Sequence, residues 1–303
     1  MYRFERLLCP IDFSNAALYA TQFAAYLAAK ESGTITVMYV DEHEKDPLGF
    51  LDHADQDVAE YQSIAAAVAQ KKFSEFIATT ELKFDRFEFI VRFGTAYREI
   101  IDEAEAKRYS AVVIATEGLG HSSPHLIGRT VERVVRLCRA PVVTVRPNHH
   151  VGGWNIRTIL TPTDFSEYSN YAIPYAVSIA RRHRAKLILL HVADLATQNP
   201  ELLTQKFPEL KHYHHQADEI QIEKLVGRDV EPENTIVRIA DEYNVDLIVM
   251  GTHGARGMRR VQIGNVVEEV VRRTASPVLT ITHPIHKTVF PIRFVEDYSE
   301  PST

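Results

Sequence analysis

The sequence predicts an α/β protein of two tandem doubly wound domains, each built around a parallel five-stranded sheet. Three observations predict it. The stretch Leu7-Leu8-Cys9-Pro10-Ile11-Asp12-Phe13-Ser14 returns as Ile159-Leu160-Thr161-Pro162-Thr163-Asp164-Phe165-Ser166, an internal repeat at the scale of a whole domain. In both halves, apolar runs of strand length alternate with amphipathic stretches, the pattern of a parallel sheet covered by helices on both faces. A chain of 303 residues also has room for two domains of roughly 150 residues each.

The repeat carries through the elements in order. TITVMYVD matches KLILLHVAD, with Val40 against Val192, and Gly94 answers Gly227 at the third strand. Between strands two and three the copies diverge. The first holds DVAEYQSIAAAVAQKKFSEFIATT, which reads as a full amphipathic helix. The second has only NPELLTQKFPELKHYHHQ, an abbreviated helix or a turn. The second copy's strands are expected in RTILTPTD, KLILLHVA, EIQIEKLV, DLIVMGT and PVLTITH. Its helices are expected in AIPYAVSIARRH, TIVRIADEY and VVEEVVRRT, with Ser169 capping the first so that Pro174 falls near its opening turn. The boundaries are 1–148 and 155–284, joined by the polar, Gly152-Gly153-bearing RPNHHVGGWN, with a tail over 285–303. VVTV and VLTI are candidate edge strands for closing the copies into a pseudo-dimer within the chain, and a homodimer of chains is a further candidate.

Composition narrows the function classes. A net charge of −6 argues against a nucleic-acid surface, which is normally basic, and RRHRAK near residue 181 reads as the solvated end of a helix. No run approaches the ~18 apolar residues of a membrane span. Arginines and a glutamate in MYRFERLLCPIDFS argue against an export signal and for the cytoplasm. Cys9 and Cys138 sit in apolar surroundings and read as buried small residues.

The chemistry concentrates after the second copy's fourth strand, where Leu247-Ile248-Val249-Met250 leads into GTHGARGMRRVQIGNV and then a helix. Glycines at 251 and 254 let backbone N–H groups approach an anion, and Gly264-Asn265 delivers the chain to a helix N-terminus whose free N–H groups and dipole favour phosphate. The lysine of a Walker loop is absent, so charge must come from Arg256, Arg259, Arg260 or a bound magnesium ion.

Pro162-Thr163-Asp164-Phe165-Ser166 after strand one, His191-Val192 near the end of strand two, and Gly251, Gly254 and Gly264 at the spacing G-x2-G-x9-G together resemble the universal stress protein family. The resemblance spans nearly the whole chain, twice. It implies the adenine-nucleotide α-hydrolase-like, Rossmann-like fold and ATP as ligand. It also implies that Asp164 meets the nucleoside end, that Val192 contacts adenine through its main chain, and that Gly251, Gly254, Gly264 and Asn265 hold phosphates. Pro162, Thr163, Met250, His253, Arg256 and Val266 complete the expected site. Asn265 departs from the family's usual serine or threonine. No catalytic residue and no metal ligand is expected, and hydrolysis is expected to be slow at most. An ATP-cleaving enzyme of the same fold group would carry His-x-Gly-His or Ser-Gly-Gly-x-Asp-Ser after strand one, and neither stands here. A nucleotide-independent scaffold or a small-ligand-binding protein is the remaining alternative.

The first copy reads Ala115-Thr116-Glu117-Gly118, then Gly128-Arg129. A methyl group, a negative charge and a long side chain replace the features a phosphate needs, so ATP binding is not expected there. His212-Tyr213-His214-His215, His149-His150, His43 and His53 have no metal-ligand spacing and read as solvated histidines.

Overall fold

The computed structural model describes residues 2–42, 55–78, 84–118, 127–147, 153–197, 199–212, 219–253 and 265–284. The first copy runs β1 (Arg6–Ile11), α1 (Asn15–Glu31), β2 (Thr34–Asp41), α2 (Asp55–Ala78), β3 (Phe87–Phe93), α3 (Ala96–Ala106), β4 (Ala111–Ala115), α4 (Arg129–Leu137) and β5 (Val142–Val145). The second runs β6 (Thr158–Pro162), α5 (Glu167–Asn170), α6 (Ile173–His183), β7 (Lys186–Ala193), two 3₁₀ turns (Pro200–Lys206 and Leu210–His212), β8 (Ile222–Arg228), α7 (Pro232–Glu242), β9 (Leu247–Gly251), α8 (Asn265–Arg273) and β10 (Val278–Ile281). The long helix thus forms in the first copy, and 3₁₀ turns replace it in the second.

Each copy supplies five parallel strands, and the two sets form one sheet of order β3-β2-β1-β4-β5-β10-β9-β6-β7-β8. The join is antiparallel, with Leu279 opposite Val143. VVTV and VLTI, the outer strands of their copies, thus pair as expected and close the copies into a pseudo-dimer, each strand's ladder groups satisfied by the other copy. Side chains alternate across the sheet. Leu7, Cys9, Val143, Ile159 and Leu279 enter a core beneath α1, α2 and α6, whereas Leu8, Val142, Leu160 and Val278 enter the opposite core with α3, α4, α7 and α8. Both cores run across the seam between copies. Cys9 and Cys138 are buried free thiols in opposite cores, and burial pushes both up to about 12.

The first helices of the copies differ. Ser14 caps α1, its Oγ accepting from the Ala17 N–H at 3.1 Å, and the helix continues for 17 residues. In the second copy Ser166 caps α5, a helix of only 4 residues. α6 starts anew with Ala172 as an uncapped lead and Pro174 in its first turn. Pro174 has no N–H to donate to the carbonyl of Asn170, and its ring clashes there, so the helix breaks. Ser169 lies inside α5, which corrects its expected role as the cap.

The basic cluster also differs from expectation. Arg182 pairs with Glu31 of α1, and His183 Nδ1 lies 2.9 Å from the Tyr26 hydroxyl, which also accepts the Ile156 N–H at 2.9 Å. Arg182 and His183 are thus seam residues rather than a solvated helix end. Burial, then Lys30 and Arg182, hold the His183 imidazole down at about 4. Of the join, Trp154 packs edge-on against Phe23 at 4.6 Å. Among the described residues no helix is long and apolar enough to cross a membrane, and no group of three or more His, Cys, Asp or Glu could hold a metal ion. The tail over 285–303, His43, His53, His149, His150 and residues 213–215 lie outside the described residues.

Candidate functional site

In the second copy β6 has β9 on one side and β7 on the other, so the crossover direction reverses between β6 and β9. In open α/β sheets that switch point, beyond the strand carboxyl ends, is where ligands bind. Pro162 at the end of β6 and Thr163 just beyond it are buried, while Asp164 is exposed. Phe165 adopts a left-handed φ of 65°, unfavourable for a residue with a Cβ. It is held by its N–H donating to Thr163 Oγ1 at 2.9 Å, by a stack on His191 at 4.1 Å and by an edge contact with Phe207 at 5.2 Å. The first copy repeats this corner: Phe13 has φ 63° and packs on Tyr39 and Phe76. Phe207, just after the first 3₁₀ turn, thus supplies the aromatic lid that α2 supplies in the first copy, and the shortened segment leaves this side of the corner covered.

Asp164 Oδ1 gathers three donors: the Ser166 N–H at 3.0 Å, the Ser166 hydroxyl at 2.6 Å and the Ser169 hydroxyl at 2.7 Å. On the next strand, Val192 is half-buried opposite Gly227. Across the switch point, Met250, Gly251 and His253 are buried at the end of β9, with His253 Nδ1 2.9 Å from Thr252 Oγ1. A Cβ on Gly251 would stand 2.7 Å from the Tyr168 carbonyl oxygen and 3.3 Å from Ser169 Cα. The space left by its missing side chain is therefore filled by α5. Asn265 opens α8 exposed, and Val266 is half-buried behind it. Gly254, Arg256 and Gly264 lie outside the described residues.

The first copy builds the same crevice between β1 and β4 with other chemistry. A Cβ on Gly118 would stand 2.5 Å from Asp12 Oδ2, so the two strand ends abut. Burial raises the Tyr39 hydroxyl, and Asp41, Glu42 and Asp12 raise it further, marking an acidic environment. Glu117 is held in an ion pair, its carboxylate 3.1 Å from Arg146. Arg146 in turn donates at 2.5 Å to the carbonyl of Arg272, near the C-terminal end of α8. Arg129 is exposed at the first turn of α4.

The model of the universal stress protein family matches residues 3–146 and again 155–282. The chain belongs to the universal stress protein family. Universal stress protein Slr1230 of Synechocystis is 23% identical over 304 residues, covering 90% of this chain and 98% of that one. Universal stress protein MJ0531 of Methanocaldococcus jannaschii is 33% identical over 144 residues, 42% of this chain and 83% of its own. The crystal structure of a universal stress protein from Archaeoglobus fulgidus superposes with a TM-score of 0.67 at 21% identity, over 93% of this chain and 98% of that one, a likeness of fold.

As a tandem universal stress protein, the chain brings Pro162, Thr163, Asp164, Val192, Met250, Gly251 and His253 to adjacent strand ends, with Asn265 and Val266 at the start of α8. The residues that sequence reasoning did not assign to the site are Tyr168 and Ser169, and His191 carried the resemblance without being given a role. Tyr168 and Ser169 belong to a helix the repeat hides, because its first-copy counterpart is the start of the unbroken α1. The one signal for that break was Pro174.

Proposed function

We propose that this universal stress protein holds ATP in its second copy and turns it over slowly if at all, so that occupancy biases conformation or partner binding. The observation that carries the reading is the crevice between β6 and β9, where exposed Asp164 and the start of α8 flank a strand end that carries glycine. In this proposal Asp164 accepts from ribose hydroxyls and the main chain at Val192 reads the adenine edge. Gly251, Gly254, Gly264 and Asn265 hold the phosphates at the N-terminus of α8, with Arg256 or a magnesium ion supplying positive charge. The acidic first copy takes no ATP. A cytoplasmic location is part of the proposal.

The test is mass spectrometry of nucleotide released from the purified protein, followed by calorimetric titration with ATP and magnesium and by phosphate release over hours. Bound ATP with little release is the expected result. Gly254→Val should abolish binding, while Ala115→Val in the first copy should leave it unchanged. Absence of binding at millimolar ATP sinks the proposal in favour of a nucleotide-independent scaffold. Rapid phosphate release would instead favour an ATP-cleaving enzyme.

A further inference from the structure

Resting on that nucleotide reading, we infer that Ser169 is a positioning residue of the site, and that α5 is a latch tying the strand end that carries Asp164 to the strand end that carries Gly251. Ser169 is buried, at 6% exposure. Its hydroxyl donates to Asp164 Oδ1 at 2.7 Å, accepts from the Asp164 N–H at 3.3 Å and lies 3.1 Å from Thr163 Oγ1. Its Cα, with the Tyr168 carbonyl, fills the space beside Gly251. One residue therefore touches both sides of the switch point, through its side chain on the β6 side and its main chain on the β9 side.

Three differences from the first copy act together here. Pro174, where the first copy has Gln22, severs α5 from α6, so α5 is a single turn held by side-chain bonds rather than by the cooperativity of a long helix. Ser169 replaces Ala17, which has no hydroxyl to hold Asp12. Gly251 replaces Ala115, whose methyl group would meet the Tyr168 carbonyl in the second copy. The nucleoside end and the phosphate end of the crevice are thereby linked through α5. Loss of the Ser169 hydroxyl releases the Asp164 carboxylate from one of its donors and α5 from the end of β6, leaving only its main-chain packing against β9.

The experiment uses the full chain with adenosine, inorganic tripolyphosphate and ATP as probes, read by calorimetry, and hydrogen exchange of amides 165–171 without ligand. Ser169→Ala should weaken adenosine and ATP by about tenfold, the scale of one hydrogen bond to a charged group, and accelerate exchange at 165–171 while the rest of the chain is unchanged. Ser169→Thr, which keeps the hydroxyl, should recover most of the affinity. Gly251→Ala, on the opposite strand, should weaken adenosine as well as tripolyphosphate, and Ala17→Ser should change neither. If wild type binds ATP and Ser169→Ala matches it within about twofold for adenosine and ATP, the latch is overturned and the nucleotide reading stands. If wild type binds none of the probes, the nucleotide reading falls and the positioning role falls with it. Unaltered exchange at 165–171 in Ser169→Ala overturns the latch whatever binds.

Discussion

The two strand-end crevices share the corner after their first strand and differ in the helix that follows it and in the residues after their fourth strand. Both copies turn out of their first strand through a left-handed phenylalanine, Phe13 or Phe165, and both present an aspartate just before it. In the first copy the corner leads into one long helix, the strand ends abut at Asp12 and Gly118, and Glu117 is bound to Arg146. In the second, the helix is broken, Gly251 admits α5, and His253 stands where Glu117 does. The difference teaches that the first copy's crevice has become part of the seam: through Arg146, Glu117 is connected to the end of α8, the helix whose opposite end faces the second crevice.

The seam itself is unequal in the same way. The repeat aligns Lys30-Glu31 with Arg182-His183, so the approximate two-fold that joins Glu31 to Arg182 brings His183 towards Lys30. One side holds an ion pair, and the other holds an imidazole kept neutral by burial and by its cationic neighbours.

The comparison can be broken at several points. The largest effect is expected from Gln22→Pro, which imposes the second copy's break on α1 and should cost about 3 kcal/mol or more in urea denaturation, whereas Pro174→Ala should change stability by less than about 1 kcal/mol. Equal, small effects would mean that proline does not cause the break. Next is pH. His183 is depressed to about 4 from an ordinary 6.5, so the unfolded chain binds the proton more readily. The stability this group contributes is present above pH ~6.5 and is lost as pH falls towards ~4, by on the order of 2–3 kcal/mol. Glu31, held above its usual range by burial against the pull of Arg182, titrates with the opposite slope, so the comparison of wild type with His183→Gln isolates the histidine. The variant should show a flatter fall in thermal midpoint over that window, and an identical fall would remove His183 from the seam's titration.

Glu117→Ala leaves Arg146, only 13% exposed in its side chain, without its carboxylate, and should cost about 1–2 kcal/mol. His253→Ala, which removes a ring nitrogen 2.9 Å from Thr252 Oγ1, should cost about 1 kcal/mol by the same thermal measurement. The smallest effect belongs to Ala115→Gly. Giving the first copy the glycine of the second loosens β4 by roughly 0.5–1 kcal/mol and should create no ATP binding, because the acidic groups at Asp41, Glu42 and Glu117 remain.

Much of this was legible in the sequence. Strands buried on both faces announce themselves as apolar runs, and the repeated PxDFS corner and the missing second helix could be counted along the chain. RRHRAK was not legible as seam, because charge in a helix's last turn looks the same whether water or a second domain faces it. Gly251 was legible as a close approach but not as an approach by α5, since a glycine does not say which neighbour needs its space. Ser169 looked like a cap because serine just ahead of a proline-bearing helix usually is one, and only the break two residues later shows that it lies inside a different helix.

The antiparallel meeting of β5 and β10 has a last consequence. In a dimer of identical chains any substitution strikes both sides of the axis, and dilution separates the partners. Here the partners are tethered at a fixed effective concentration, so every molecule carries one crevice of each chemistry whatever the level of expression, and each half is free to change without imposing the same change on its mate.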